Sequence, residues 1–258
     1  MNLKDKVKEY WQNNVCGTQE HLTRNPTNLK PISSQAIYSK EYFQELEDYR
    51  YSINPEIFEF AQFTRYKDKT ILEVGVGAGV DFLQWCRVSK FCCGIDFTPA
   101  SIEHTHKLLD SNGLQADLRV ADAEDLPFPD NQFDLVYSWG VLHHTPSPFL
   151  AIKECIRVTR PSGEIKLMLY NRWSLLGLIT KFYEVESPGT QAFTKHQIAK
   201  ILKSMPVQIV SIKARANKYD LLYRYPYPIR LIAYLFNYLT GMNSGFFMTI
   251  HLRKEQAR

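Results

Sequence analysis

The sequence predicts an α/β protein, a mostly parallel seven-stranded sheet with helices on both faces, behind a helical N-terminal extension. Three observations predict it. From Thr70 onward, seven short apolar runs alternate with amphipathic stretches, the pattern of strands joined by crossover helices. Residues 1–66 carry helical periodicity and no strand-like run. The first apolar run, Thr70–Val74, opens into a loop with glycine at 75, 77 and 79.

Each element follows from local chemistry. Leu3, Val7, Tyr10 and Trp11 recur at helical spacing, so the chain starts with a helix. NNVCGTQ reads as a turn, and Gly17–Pro31 is polar and irregular. Ser39 is a good N-cap for a helix carrying Tyr42, Phe43, Leu46 and Tyr49, and Asn54–Pro55 restarts a third helix. TILEV, FCCGID, LRVA, FDLVYS and EIKLMLY are strands, with helices at DFLQWCRV, SIEHTHKLLDSNG and PFLAIKECIRVTR. Gly113 and the Pro161–Gly163 stretch mark two helix ends. TKHQIAKILKS is a helix, VQIVSIKARA a strand, about 220–241 a helical insertion, and GFFMTIHLRK the last strand. The chain divides into an extension or lid at 1–66 and one domain at 67–258.

Composition narrows the function. A net charge of +4 without a basic run gives no reason to expect nucleic acid as a partner. Five cysteines, an odd number with no C-x-x-C pair, suggest neither a disulfide framework nor a metal site. The N-terminus has no apolar signal core, and no apolar run is long enough to span a bilayer. A cytoplasmic location is the expectation.

The segment ILEVGVGAGVDF bears the chemistry. Glycine lets the chain turn tightly and lets backbone approach a ligand, and the helix that follows offers free N–H groups. Asp96 closes the next strand about twenty residues on, where a carboxylate bonds ribose hydroxyls. A nucleoside cofactor follows, of nicotinamide or adenosylmethionine type. A dinucleotide fingerprint needs glycine at position 80, which is Val80; the order here is G-x-G-x-G after Glu73. That spacing disfavours a nicotinamide oxidoreductase.

In combination, ILEVGVGAG, GIDFTPASIE, VADAEDLPFPDNQFDLVYSWGVLHH and RVTRPSGEIKLMLY resemble the successive motifs of the class I methyltransferases, in the group related to ubiquinone and menaquinone methyltransferases. The resemblance covers about residues 70–170. It implies a Rossmann-like fold and S-adenosyl-L-methionine as cofactor. Glu73, Gly75, Gly77 and Gly79 would surround the methionine half. Asp96 would bind ribose and Phe97 pack on adenine, Asp122 and Ala123 would meet the adenine edge, and Ser138, Trp139 and Gly140 would lie beside the cofactor. The loop SWGVLHH departs from the N/D-P-P-Y/F loop of enzymes that methylate base or glutamine nitrogens. A small-molecule or lipid-like acceptor is therefore expected, with a non-catalytic adenosylmethionine-binding module as the alternative.

Methyl transfer from a sulfonium needs positioning and exclusion of water, and a base only when the acceptor must lose a proton. His143 is the base candidate, with His144 read as architecture, and Tyr170 ends a strand facing the cleft beside Asn171. Trp11, Cys16, Gly17 and Thr18 are expected to fold over the cofactor as a lid, with Tyr38, Tyr42, Arg50 and Tyr51 on the acceptor side. The apolar insertion PYPIRLIAYLFNYLTG is expected to pack in the core; its functional reading is a wall for a hydrophobic acceptor, or contact with a membrane surface or a second subunit.

Overall fold

The computed structural model describes residues 1–18, 36–175, 187–214, 216, 220, 227–240 and 244–256. The rest of the polar stretch after Gly17, and residues 221–226 of the insertion, lie outside the described residues.

Among the described residues, three α-helices lead into the sheet: α1 (Leu3–Asn13), α2 (Lys40–Ile53) and α3 (Glu56–Ala61). Ser39 caps α2 by accepting the Tyr42 N–H at 3.1 Å. Asn54 does not open α3; its own N–H closes α2 on the Arg50 carbonyl, and Pro55 takes the capping position.

Then come β1 (Thr70–Val74), α4 (Val80–Val88), β2 (Phe91–Asp96), α5 (Pro99–Ser111), β3 (Asp117–Val120), β4 (Phe133–Trp139), α6 (Pro148–Val158) and β5 (Thr159–Tyr170). The chain finishes with α7 (Lys195–Leu202), β6 (Val207–Ala214), α8 (Tyr227–Leu239) and β7 (Phe247–Lys254). The seven strands lie in the order β3-β2-β1-β4-β5-β7-β6. β7 inserts between β5 and β6 and runs antiparallel to both; the other pairs are parallel. β1 and β4 are central and buried on both faces, which is why they read as mostly apolar runs.

Each face of the sheet has its own apolar layer. One is built under α2–α5 around Phe82, Trp85 and Tyr137. The other lies under α6 and α7, with Leu72, Val136 and Ile152.

Two boundaries differ from the sequence reading. α6 ends at Val158 and β5 begins at once, because the residue before Pro161 avoids the α region. The extra residues up to Gly163 are absorbed as a bulge, where pairing jumps from Phe133–Thr159 to Leu135–Glu164. α8 is not core: of its residues only Ala233 and Asn237 are buried, and most of its large apolar side chains face outward. Among the described residues no helix is long and apolar enough to cross a membrane.

Candidate active site

A single cleft lies at the carboxyl ends of β1, β2, β4 and β5, where open α/β sheets bind ligands. Its floor is the glycine loop. Gly75 and Gly77 have φ of +83° and +53°, a region that L side chains rarely adopt. A Cβ on Gly75 would also lie 2.3 Å from Val141, and one on Gly77 would lie 2.9 Å from the Cys16 carbonyl oxygen.

Asp96 locks this loop. Its Oδ2 accepts the Gly77 N–H at 3.1 Å, and its Oδ1 accepts from the Thr98 N–H and hydroxyl at 3.0 and 2.9 Å. Burial raises its pKa against the pull of those bonds. His104 holds the loop from behind. Its Nδ1 lies 3.1 Å from the Ala78 carbonyl, which can only accept, so Nε2 accepts from the Tyr42 hydroxyl at 3.2 Å. Burial lowers the His104 pKa to about 4, so the ring is neutral.

Glu73 is 3 % exposed and lines the cleft, and its Oε2 is buried without a hydrogen bond. Burial, and the charge of Asp81, push its pKa well up. Asp81 is paired with Arg50, whose Nε and Nη2 donate to its two oxygens at 3.2 and 2.7 Å. The Tyr137 and Tyr51 hydroxyls also donate to Asp81, at 3.1 and 3.3 Å.

α1 and the turn after it form the roof. The Ala78 N–H donates to the Cys16 carbonyl at 2.9 Å, Lys4 pairs with Asp122 and with Glu124, and Lys8 lies 5.1 Å from the Phe97 ring centre. Trp11 meets His144 edge-on at 5.1 Å.

Most of the expected cofactor residues converge here: Trp11, Glu73, the three glycines, Asp96, Phe97, Asp122, Ala123, Trp139 and Gly140 all line the cleft, as does Tyr170. Three do not. Ser138 turns the other way along β4 and donates to the Val74 carbonyl at 2.8 Å. Thr18 closes its own turn on the Val15 carbonyl at 2.8 Å. His143 is fully buried, with neither ring nitrogen hydrogen-bonded, and its ring lies 3.8 Å from that of Tyr170. Burial and the neighbouring His144 hold its pKa well below the ordinary value.

The short 3₁₀ turn Leu142–His144 exchanges the expected roles: it points consecutive side chains about 120° apart and gives the cleft His144 instead. The His144 Nδ1 is fixed by Thr190 and Ser187, each at 2.9 Å. On the acceptor side only Arg50 reaches the cleft. Tyr42 serves His104, Tyr51 serves Asp81, and Tyr38 packs its ring on His104 and Lys107.

Sequence reasoning missed Asp81 and the apolar wall of Leu46, Tyr49, Ile53, Met168, Phe246 and Phe247. Asp81 sits in the quoted glycine segment, and an acid in the first buried turn of a helix was the signal that could have found it. The wall comes from three distant stretches of chain and has no local signature.

Residues 72–167 match the family model described as methyltransferase domain. Over that stretch the chain is similar to S-adenosylmethionine-dependent methyltransferases of class I, the resemblance its motifs carry. It is 33 % identical over 122 residues to a tocopherol O-methyltransferase of Arabidopsis thaliana, covering 45 % of this chain and 35 % of that protein. It is 32 % identical over 111 residues to a ubiquinone biosynthesis O-methyltransferase of Actinobacillus pleuropneumoniae, covering 40 % of this chain and 47 % of that one. The aligned stretch is thus under half the length of either relative. The fold of the whole chain is shared with the [4+2]-cyclase SpnF, at TM-score 0.65 and 17 % identity, covering 98 % and 97 % of the two chains.

The cleft fits that cofactor on its own terms. The buried carboxylate of Glu73, whose Oε2 has no hydrogen bond, offers an acceptor to the ammonium of an amino-acid tail. Asp96 stands at the ribose position, and Phe97, Asp122 and Ala123 at the adenine end.

Proposed function

We propose that this chain transfers a methyl group from S-adenosylmethionine to an apolar small-molecule or lipid-like acceptor. The observation that carries the reading is the wall of the cleft beyond the glycine loop, where Leu46, Ile53, Trp139, Met168, Phe246 and Phe247 leave few polar groups for an acceptor to meet. The two relatives named above are O-methyltransferases, one of tocopherol and one of ubiquinone biosynthesis, and a further one, of Cereibacter sphaeroides, is a phosphatidylethanolamine N-methyltransferase, which together support an apolar or lipid-like acceptor.

Bound in this cleft, S-adenosylmethionine supplies an electrophilic methyl on a sulfonium, already activated by its own charge. The protein's work is then mostly placement. Glu73 holds the ammonium of the amino-acid tail, Asp96 the ribose, and the aromatic wall orients the acceptor for in-line displacement. Trp11 and the 15–18 turn exclude water. Since the His144 Nδ1 is engaged by Thr190 and Ser187, a proton drawn from an acceptor hydroxyl goes to Nε2.

The test is a methyl-transfer assay with labelled S-adenosylmethionine and three acceptors: a phenol with a long alkyl or prenyl tail, the same phenol without its tail, and a small polar amine. The tailed phenol is expected to react at least about tenfold faster in kcat/KM than the bare one, from burial of its methylenes. Equal rates for the two phenols, or preference for the amine, would overturn the reading.

A further inference from the structure

α8 is the least explained element of the fold. Its outward side carries Tyr227, Ile229, Leu231, Ile232, Tyr234, Leu235, Tyr238 and Leu239, with Leu239 82 % exposed and Tyr238 68 %. At about 100° per residue these side chains spread over roughly 220° of the helix circumference. The aliphatic residues Leu231, Leu235, Leu239 and Ile232 form the centre of that arc. Tyr227, Tyr234 and Tyr238 form one edge, with Arg230 just beyond them. Ala233 and Asn237 are buried against the protein, and Phe236 is half-buried against its core.

From this arrangement we infer that α8 docks on the surface of a lipid bilayer and draws an apolar acceptor from it; the second half of that statement rests on the function proposed above. Four features select a bilayer. The aliphatic centre suits the acyl boundary, while tyrosine and arginine suit headgroup level, having an apolar body and a polar tip. α8 itself carries no Asp or Glu, and its one charge is the cation Arg230, a sign that suits anionic lipid. A 13-residue helix offers a footprint of only about 20 Å by about 10 Å, roughly 200 Å², against about 800 Å² per partner in a standard stable interface. A second copy bound through α8 alone would be weak, and its one contact face would leave much of the apolar arc wet.

The fourth feature is the connection inward. Asn237 donates to the Asp220 carbonyl at 3.4 Å, and the Asp220 carboxylate accepts the Phe246 N–H at 2.8 Å. Phe246 lines the cleft and stacks on Tyr170 at 4.3 Å. Ala233 and Phe236 belong to the same apolar cluster as Phe246, Trp139 and Met168. The docking helix is thus built onto the acceptor wall of the cleft.

The experiment is flotation of the full chain with vesicles of phosphatidylcholine alone and of phosphatidylcholine with 30 % phosphatidylglycerol, with analytical ultracentrifugation alongside. The wild type is expected to float with the anionic vesicles, and less so in high salt. The double variant Leu235→Glu, Leu239→Glu is expected to float at least about tenfold less while binding S-adenosylhomocysteine as the wild type does. The milder pair Leu231→Ser, Ile232→Ser gives the same readout should the charged pair not fold. Wild-type protein that binds the nucleoside but stays with neither vesicle overturns the proposal, and so does a floating double variant. A dimer that the double variant dissolves, without vesicle binding, assigns the face to a second copy and equally overturns it. Flotation is read without turnover, so vesicle binding with no methylation of the tailed phenol would sink the function proposed above and leave the docking surface standing.

Discussion

Replacing Glu73 by Gln should make the free protein more stable and the nucleoside-bound protein weaker. The carboxylate is 3 % exposed, and its Oε2 has no partner. An ionised group in that position forfeits hydration that the nearby Arg50 charge offsets only in part, a net cost of about 1–2 kcal/mol. Burial raises its folded pKa above the unfolded value near 4.5. Its stabilising contribution is therefore complete below about pH 4.5 and is lost as pH rises through the raised value. Gln removes that loss, so at pH 8 Glu73→Gln should melt about 3–6 °C higher, with the advantage shrinking toward pH 5. The ammonium of a bound adenosylmethionine needs the ionised carboxylate, and one charge-assisted hydrogen bond contributes about 1.5–3 kcal/mol. Affinity for S-adenosylhomocysteine should fall about tenfold to a hundredfold. Thermal melts at the two pH values, and calorimetry in two buffers of different ionisation heat, check both halves. In wild type, binding below the raised pKa should release a proton to the buffer, and in the variant it should not. Unchanged affinity with no difference in proton release would refute the assignment of Glu73 to the amino group.

Three further outcomes follow from the cleft geometry. Gly77→Ala forces a side chain into positive φ and against the Cys16 carbonyl, so it should cost about 1–2 kcal/mol in stability and weaken S-adenosylhomocysteine several-fold by displacing the roof; calorimetry showing affinity within twofold would detach the roof from binding. Asp96→Asn removes the charge expected at the ribose and one loop-locking acceptor, and calorimetry should show a loss of at least about tenfold. His143→Phe should keep kcat within about threefold because neither ring nitrogen has a partner, whereas His144→Ala should lower kcat for a phenol while leaving nucleoside affinity near wild type; the reverse pattern would restore His143 as the base.

What the sequence made legible was what depends on neighbours in the chain. The glycine loop, Asp96 at the end of β2 and the strand periods are local patterns, and the structure places them as read. The sequence could not tell His143 from His144, because two adjacent residues in a 3₁₀ turn differ only in direction, and direction is set by what Tyr170 and Trp11 pack against. Arg50 and Asp81 are 31 residues apart, and nothing short-range announces that α2 will lay one beside the other. Tyr42 and Tyr51 are expected on the acceptor side of a lid, and their hydroxyls turn instead to His104 and Asp81, contacts across the chain that no local pattern announces. α8 was read as core because apolar helices usually are, and only the packing of Ala233 and Asn237 against the domain shows which side is inside.

The reaction is decided by the wall, not by the fold. A [4+2]-cyclase has the same architecture over nearly the whole chain, so seven strands in this order do not by themselves specify methyl transfer. Residues that receive the nucleoside occupy the ends of β1 and β2, and they can be the same whatever is methylated. Those that distinguish acceptors come from α2, the ends of β4 and β5, and the Phe246–Phe247 corner beside α8. In that half of the cleft, Arg50 and Asp81 cancel each other's charge through a bidentate pair, so the site shows an acceptor little net field and a broad aromatic surface. A small charged amine would gain little there and would lose its hydration. A flat or long apolar acceptor carrying a single nucleophilic oxygen would shed apolar surface against Trp139, Met168 and Phe247, with His144 within the same cleft to take its proton. Acceptor choice should therefore change with substitutions at the aromatic wall, while changes at the glycine loop should lower all methyl transfer alike.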